Sequence, residues 1–103
     1  MRIAIITAMA EETLPILEKT GRVVAEDSVS GVAIKQIETG RHTIYLATTG
    51  IAQIRAATAV QMLVDLFDVE AVLNFGVVGS LNRSIPVGEL VLVERAVHYQ
   101  FDI

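Results

Sequence analysis

Two acidic residues, Glu11 and Glu12, follow closely on the apolar run Ile3-Ala4-Ile5-Ile6. A carboxylate beside an apolar cleft can act as a general acid or base, and Glu12 is the candidate for that role. The plainer account is that both residues complement the positive end of a helix dipole. Gly76 and Gly79 flank Val77 and Val78 after another apolar run. Glycines in such a loop let backbone N–H groups approach a ligand closely, although an ordinary strand-to-loop turn reads the same way. Gly50 before Ile51 allows the same two readings. Other chemistries are absent or weak. No G-x-G-x-x-G follows the first apolar run and no Walker A sequence occurs, so a dinucleotide or P-loop site is not expected. His42 and His98 are isolated. His98, Tyr99 and Asp102 cluster near the end, but a solvated or core-edge histidine explains them better than a metal. No serine–histidine–acid triad fits these spacings. We expect neither metal nor cofactor.

These residues need elements to hold them. Residues 3–6 read as a strand buried on both faces. A helix over 10–19 follows, with the two glutamates in its first turn, Pro15 as a distortion inside it and Gly21 as terminator. Residues 23–25, 32–37 and 44–48 are strand candidates punctuated by Gly31 and Gly40, and Gly40-Arg41-His42 reads as a hairpin turn. The middle segment alternates, which predicts an antiparallel strand near an edge. A long helix is predicted over 52–67, with Thr58, Gln61, Asp65 and Asp68 on one polar stripe. It is so apolar elsewhere that cover on more than one side is expected. Residues 71–75 and Leu90-Val91-Leu92-Val93 read as two further buried strands.

The inventory implies a three-layer αβα fold around a mixed, mostly parallel twisted sheet, in one domain over 1–103. Doubly buried strands need helices on both sheet faces, and only two helices are visible. Either another chain supplies the cover or the native protein continues beyond Ile103, so the domain reads as apparently truncated. Ligands of open α/β sheets bind beyond the carboxyl ends of the strands. Residues 7–12, 49–53 and 76–80 sit at such ends, and their convergence would make one pocket.

Composition narrows the class. Hydrophobic residues make up 52% and charged residues 19% of the 103, against roughly 25% charged in an average domain. Some apolar residues are therefore expected to face another chain or segment. The net charge of −4 gives no footprint for nucleic acid or anionic lipid. The absence of cysteine excludes disulfides and thiolate metal sites. The first apolar run is too short for a secretory core, and no stretch approaches the roughly 20 residues of a membrane span. A soluble cytoplasmic protein is expected.

Four segments, in order along the whole chain, carry a family resemblance. Met1-Arg2-Ile3-Ala4-Ile5-Ile6-Thr7-Ala8-Met9-Ala10-Glu11-Glu12 resembles the opening of the methylthioadenosine/S-adenosylhomocysteine nucleosidases. Thr49-Gly50-Ile51-Ala52-Gln53-Ile54 resembles their serine/threonine-glycine-isoleucine-glycine-lysine segment. Asn74-Phe75-Gly76-Val77-Val78-Gly79-Ser80-Leu81 resembles their asparagine-threonine-glycine-serine-alanine-glycine-glycine-leucine loop. Pro86-Val87-Gly88-Glu89-Leu90-Val91 resembles a valine-glycine-aspartate strand start. The resemblance implies a nucleoside phosphorylase-like fold, of which these residues form the N-terminal portion, and hydrolysis of the N-glycosidic bond with adenine release.

By position, the resemblance makes Glu12 the residue that activates water. It sets Met9 against the ribose and 5′ substituent, Ile51 in the 5′-thio pocket, and Val78 and Gly79 beside the purine. Val77 belongs to the same substrate-binding loop but replaces the family's serine, so a hydroxyl that helps place water is missing. Ile103 falls near a position lent to the 5′ pocket of a neighbouring subunit, and dimers are usual in the group. The aspartate that protonates the purine and a methionine-glutamate segment that holds the ribose lie in the family's C-terminal half, so the isolated chain is expected to be weakly active or inactive. Two alternatives stand beside hydrolysis. One is a nucleoside phosphorylase, disfavoured because Glu11 and Glu12 occupy the place of an arginine-bearing phosphate loop. The other is a non-catalytic nucleoside-binding or oligomerising fragment.

Overall fold

The computed structural model describes residues 1–20 and 22–97. Its elements run β1 (Arg2–Thr7), α1 (Ala10–Thr20), β2 (Val23–Val29), β3 (Val32–Thr39), β4 (His42–Thr48), α2 (Gln53–Phe67) and β5 (Ala71–Asn74). The five strands form one sheet in the order β2-β3-β4-β1-β5. β1 pairs in parallel with β4 and β5, and the β2-β3-β4 meander is antiparallel. The sheet is therefore mixed, with its parallel part centred on β1.

Local chemistry explains the connections. Ser30 and Gly31 both have positive φ, 52° and 80°, as a two-residue turn matched to strand twist requires. Gly40, at φ 54°, turns β3 into β4 at the anticipated hairpin. β3 does lie next to an edge strand, antiparallel to both neighbours. Pro15 forfeits one helical hydrogen bond, yet α1 continues through it to Thr20. Gly21 lies outside the described residues. The left-handed Asp68 (φ 52°, ψ 44°) ends α2. There the Arg2 guanidinium donates to the Phe67 carbonyl at 2.9 Å.

The period-two alternation of the strands separates two cores. Ala4, Ile6, Val32, Ile34, Tyr45 and Ala47 face α2, which contributes Ala59 and Leu63. Ile37, Ile44 and Leu46 face the other way, where Ile5 and the α1 residues Ile16 and Leu17 pack. The parallel register sets Ala4 beside Tyr45 and Ile5 beside Leu46, so each face stays continuous across strands. The three layers are thus α1, sheet and α2.

One sequence expectation needs correction. Leu90-Val91-Leu92-Val93 forms no strand, and Leu92 is 98% exposed. An apolar run has strand capacity, but a strand exists only through a ladder partner, and none pairs with it among the described residues. Among those residues the sheet supplies the cover of α2 on one side, leaving the other for the second chain or further segment expected from its composition. Ala59 and Leu63 are buried on the sheet, whereas Ile54 (77%), Leu66 and Val64 are exposed.

Candidate active site at the carboxyl end of the sheet

The parallel register brings the ends of three strands together. Thr7 pairs with Thr48, and Ile6 with Asn74. The ladder runs one step further on each side: Thr49 N–H donates to the Thr7 carbonyl at 2.8 Å, and Phe75 N–H to the Ile6 carbonyl at 3.0 Å. The segments 7–12, 49–53 and 76–80 therefore start from neighbouring points. Beside them opens a cavity of about 330 Å³, lined by Ile6, Thr7, Ala8, Thr49, Gly50, Asn74 and residues of the α2 start.

Glu12 lies in the first turn of α1 and is half-buried. Its Oε1 accepts hydrogen bonds from the N–H groups of Ala8 (2.9 Å) and Met9 (3.0 Å). Its Oε2 accepts one from Val77 N–H at 3.1 Å, across 65 positions of sequence. Met9 directly precedes the helix, and its carbonyl accepts from Glu12 N–H and Thr13 N–H. The Oε1 bonds are thus those of a helix-capping glutamate. The Oε2 bond is not a capping bond: it ties α1 to the loop after β5. Gly76 makes this approach possible, because a Cβ there would stand 2.7 Å from Glu12 Oε2.

Of the residues singled out in the sequence, the structure brings Glu12, Met9 and Val77 together in this hydrogen-bonded unit. Ile51, Val78 and Gly79 belong to the two loops at the same end of the sheet; Ile51 and Val78 are exposed, and Gly79 has open space where a side chain would be. Ile103, and the cluster of His98, Tyr99 and Asp102, lie outside the described residues. Among the described residues no group of three histidine, cysteine or acidic side chains could hold a metal.

Sequence reasoning missed two features. One is a run of threonine hydroxyls beneath Glu12: Thr13 Oγ1 lies 2.7 Å from Thr7 Oγ1 and 2.8 Å from Thr48 Oγ1. Its signal was the threonine that ends each of two apolar runs. The other is Ala52, which starts α2 at φ 91°, ψ 156° with no side-chain cap. That backbone region belongs almost wholly to glycine. The signal was on view, since the resembling segment carries glycine where this chain has Ala52.

The sequence model of the phosphorylase superfamily matches residues 2–103. The chain belongs to the phosphorylase superfamily. Within it, the 5′-methylthioadenosine/S-adenosylhomocysteine nucleosidase of Bacillus cereus (strain AH187) is 30% identical over 103 residues, spanning 100% of this chain and 44% of the relative. This chain thus spans less than half the length of such relatives. A Helicobacter pylori nucleosidase variant with 5′-methylthioadenosine in its active site superposes with a TM-score of 0.80 at 29% identity, covering 84% of this chain and 37% of that one. The futalosine hydrolase of the same organism superposes at 0.79 and 29% identity, covering 82% and 36%. The nucleoside phosphorylase-like fold expected of this superfamily is therefore the observed one.

Proposed function

We propose that this chain carries the water-activating part of a purine nucleoside hydrolase, with Glu12 as the base. The observation that carries the reading is the tethered carboxylate. A carboxylate offers about four acceptor positions. Three are taken by Ala8, Met9 and Val77 N–H groups, which leaves one on Oε2 for a water molecule at the end of the sheet. Cleavage of a ribosyl bond passes through an oxocarbenium-like state. As the bond from C1′ to the purine nitrogen breaks, its electron pair leaves with the base. Water then adds to C1′ and gives its proton to Glu12. The fixed negative charge also stabilises the positive sugar. The leaving purine takes up a proton from a group that no residue here matches.

The similarity to methylthioadenosine/S-adenosylhomocysteine nucleosidases supports an adenine nucleoside as substrate. On this reading Met9 and Ile51 flank the 5′ side, and Val77, Val78 and Gly79 the base. A second copy of the chain is the expected partner, and the exposed Ile54, Val64 and Leu66 of α2 support self-association there. Sedimentation equilibrium checks this; a monomer at all concentrations counts against it. Among the described residues no helix is long and apolar enough to cross a membrane, and the reading puts the enzyme in the cytoplasm.

Adenine release from 5′-methylthioadenosine, followed with and without phosphate, tests the function. The 103 residues alone are expected to release adenine far more slowly than a full-length relative, independently of phosphate. Strict phosphate dependence would turn the reading into phosphorolysis. Binding with no release, even in a full-length relative given these residues, would leave only a nucleoside-binding module.

A further inference from the structure

The threonine cluster beneath α1 has no part in the chemistry above. Thr7 (1% exposed) ends β1, Thr13 (5%) sits in α1 and the half-buried Thr48 ends β4. Thr7 and Thr48 are cross-strand partners, and both hydroxyls converge on Thr13 Oγ1. Thr13 Oγ1 also reaches the Met9 carbonyl at 3.3 Å. A hydroxyl has one hydrogen and two lone pairs. Thr13 satisfies all three contacts by donating to Met9 and accepting from Thr7 and Thr48. No buried side-chain polar atom among the described residues is left without a partner.

The Met9 carbonyl is the common point. It accepts from Glu12 N–H, Thr13 N–H and Thr13 Oγ1. The first turn of α1 is thereby fastened to the ends of two strands on one side, while Glu12 Oε2 spans to Val77 on the other. We propose that Thr13 is a positioning residue whose hydroxyl, held by Thr7 and Thr48, sets the first turn of α1 so that the Glu12 carboxylate reaches the Val77 N–H. This rests on Glu12 being the base, but the geometry can be tested without turnover. Valine at position 13 keeps the shape of the side chain and removes the acceptor of two buried or half-buried hydroxyls. Serine keeps the hydroxyl.

The test is amide hydrogen exchange and chemical shift at Val77 in the full chain, with Glu12→Ala as the reference for a lost bond. Exchange is read relative to the β1 amides, so that global opening cancels. In Thr13→Val, exchange at Val77 should rise about tenfold and the shift should move toward that of Glu12→Ala, whereas Thr13→Ser should keep both near the parent. Wild-type behaviour at Val77 in Thr13→Val overturns the proposal, whatever happens to stability. Should that variant not fold, Thr48→Val is read in the same way. It removes one hydroxyl of the chain, and no response at Val77 is again an overturning result. Where nucleoside turnover is measurable, Thr13→Val should lower kcat about tenfold and leave KM within twofold, since misplacement of a reacting group acts on the barrier. If Val77 responds but Glu12→Gln leaves hydrolysis intact, the hydrolase reading fails and the positioning role stands. The reverse pair of results removes the positioning role alone.

Discussion

The two helices start at the same end of the sheet, and they start in opposite ways. The first turn of α1 is fastened on every side: Glu12 caps it, Thr13 ties it to two strand ends, and Glu12 Oε2 anchors the loop after β5. α2 begins with Ala52 in a glycine-type conformation and no side-chain cap, its first helical bond running from Ala56 N–H to the Ala52 carbonyl at 3.2 Å. The cavity reaches the α2 start at Ala52, Gln53 and Ala56. Helix N-termini that lack a side-chain cap leave donors free for water or a ligand. The α1 start, next to the cavity-lining Thr7 and Ala8, is thus held by side-chain bonds. The α2 start combines a strained backbone at Ala52 with the lack of a side-chain cap. The helix-end role of Glu12 and the proposed chemistry do not exclude one another, because Oε1 makes the capping bonds while Oε2 keeps an acceptor position.

The largest effect expected from breaking this contrast is at Glu12. Glutamine also serves as a capping side chain at this helix position, so Glu12→Gln can keep the bonds from Ala8 and Met9, but its amide nitrogen cannot accept from Val77 N–H, and the tether is lost with the proposed base. Nucleoside hydrolysis should fall by about 10²-fold or more, the usual contribution of a general base, with unfolding free energy lowered by the lost tether alone, up to about 1.5 kcal/mol. Glu12→Ala should lose the same activity and about 1 kcal/mol of stability more, by loss of the cap. Equal stability losses in the two variants would show that the Oε1 bonds do not cap α1. Urea unfolding beside a steady-state assay reads both quantities.

Next in size is Gly76→Ala. The added methyl would meet Glu12 Oε2 at 2.7 Å, closer than carbon and oxygen approach, so the carboxylate must leave Val77. Gly76 is exposed and Oε2 is the end of a flexible side chain, so the cost is that of the lost hydrogen bond, up to about 1.5 kcal/mol. Pairing this variant with Glu12→Ala in a double-mutant cycle sharpens the point. In the Glu12→Ala background the cost should nearly vanish, and a full cost there would mean that the clash is not with Glu12.

Particular residues show how much of this was legible beforehand. The strands of the parallel core were readable because Ile3 to Ile6 and Ala71 to Asn74 are short apolar runs between breakers, and the hairpins because glycine sits where the chain must turn. The Leu90–Val93 run looked the same and forms no strand, since pairing depends on a neighbour that a one-dimensional pattern does not show. Glu12 was singled out, with charge at the positive end of a helix dipole as its plainer account; its capping bonds and its tether to Val77 needed the fold, the latter a parallel register that aligns β1 with β5. The threonine cluster was hidden for the same reason. Thr7, Thr13 and Thr48 are ordinary residues in sequence and meet only when β1 and β4 pair with α1 across their ends. The resemblance supplied the nucleosidase reading, which spacing alone did not contain.

The smallest expected effect tests the start of α2. Ala52 at φ 91°, ψ 156° occupies a region that costs a non-glycine residue roughly 1–3 kcal/mol. Glycine would remove that strain and add about 0.5–1 kcal/mol of unfolded-state entropy to be lost on folding. Ala52→Gly should therefore stabilise the chain by roughly 1 kcal/mol, read as a higher urea midpoint at unchanged slope. A lower midpoint would mean that α2 starts without strain, and the contrast between the two helices would lose its second half. The variant also asks what the strain is for. If adenosine analogues bind the stabilised chain more weakly, the methyl of Ala52 holds the start of α2 in its binding geometry. If binding is unchanged while stability rises, the fastened α1 turn alone carries the site's precision.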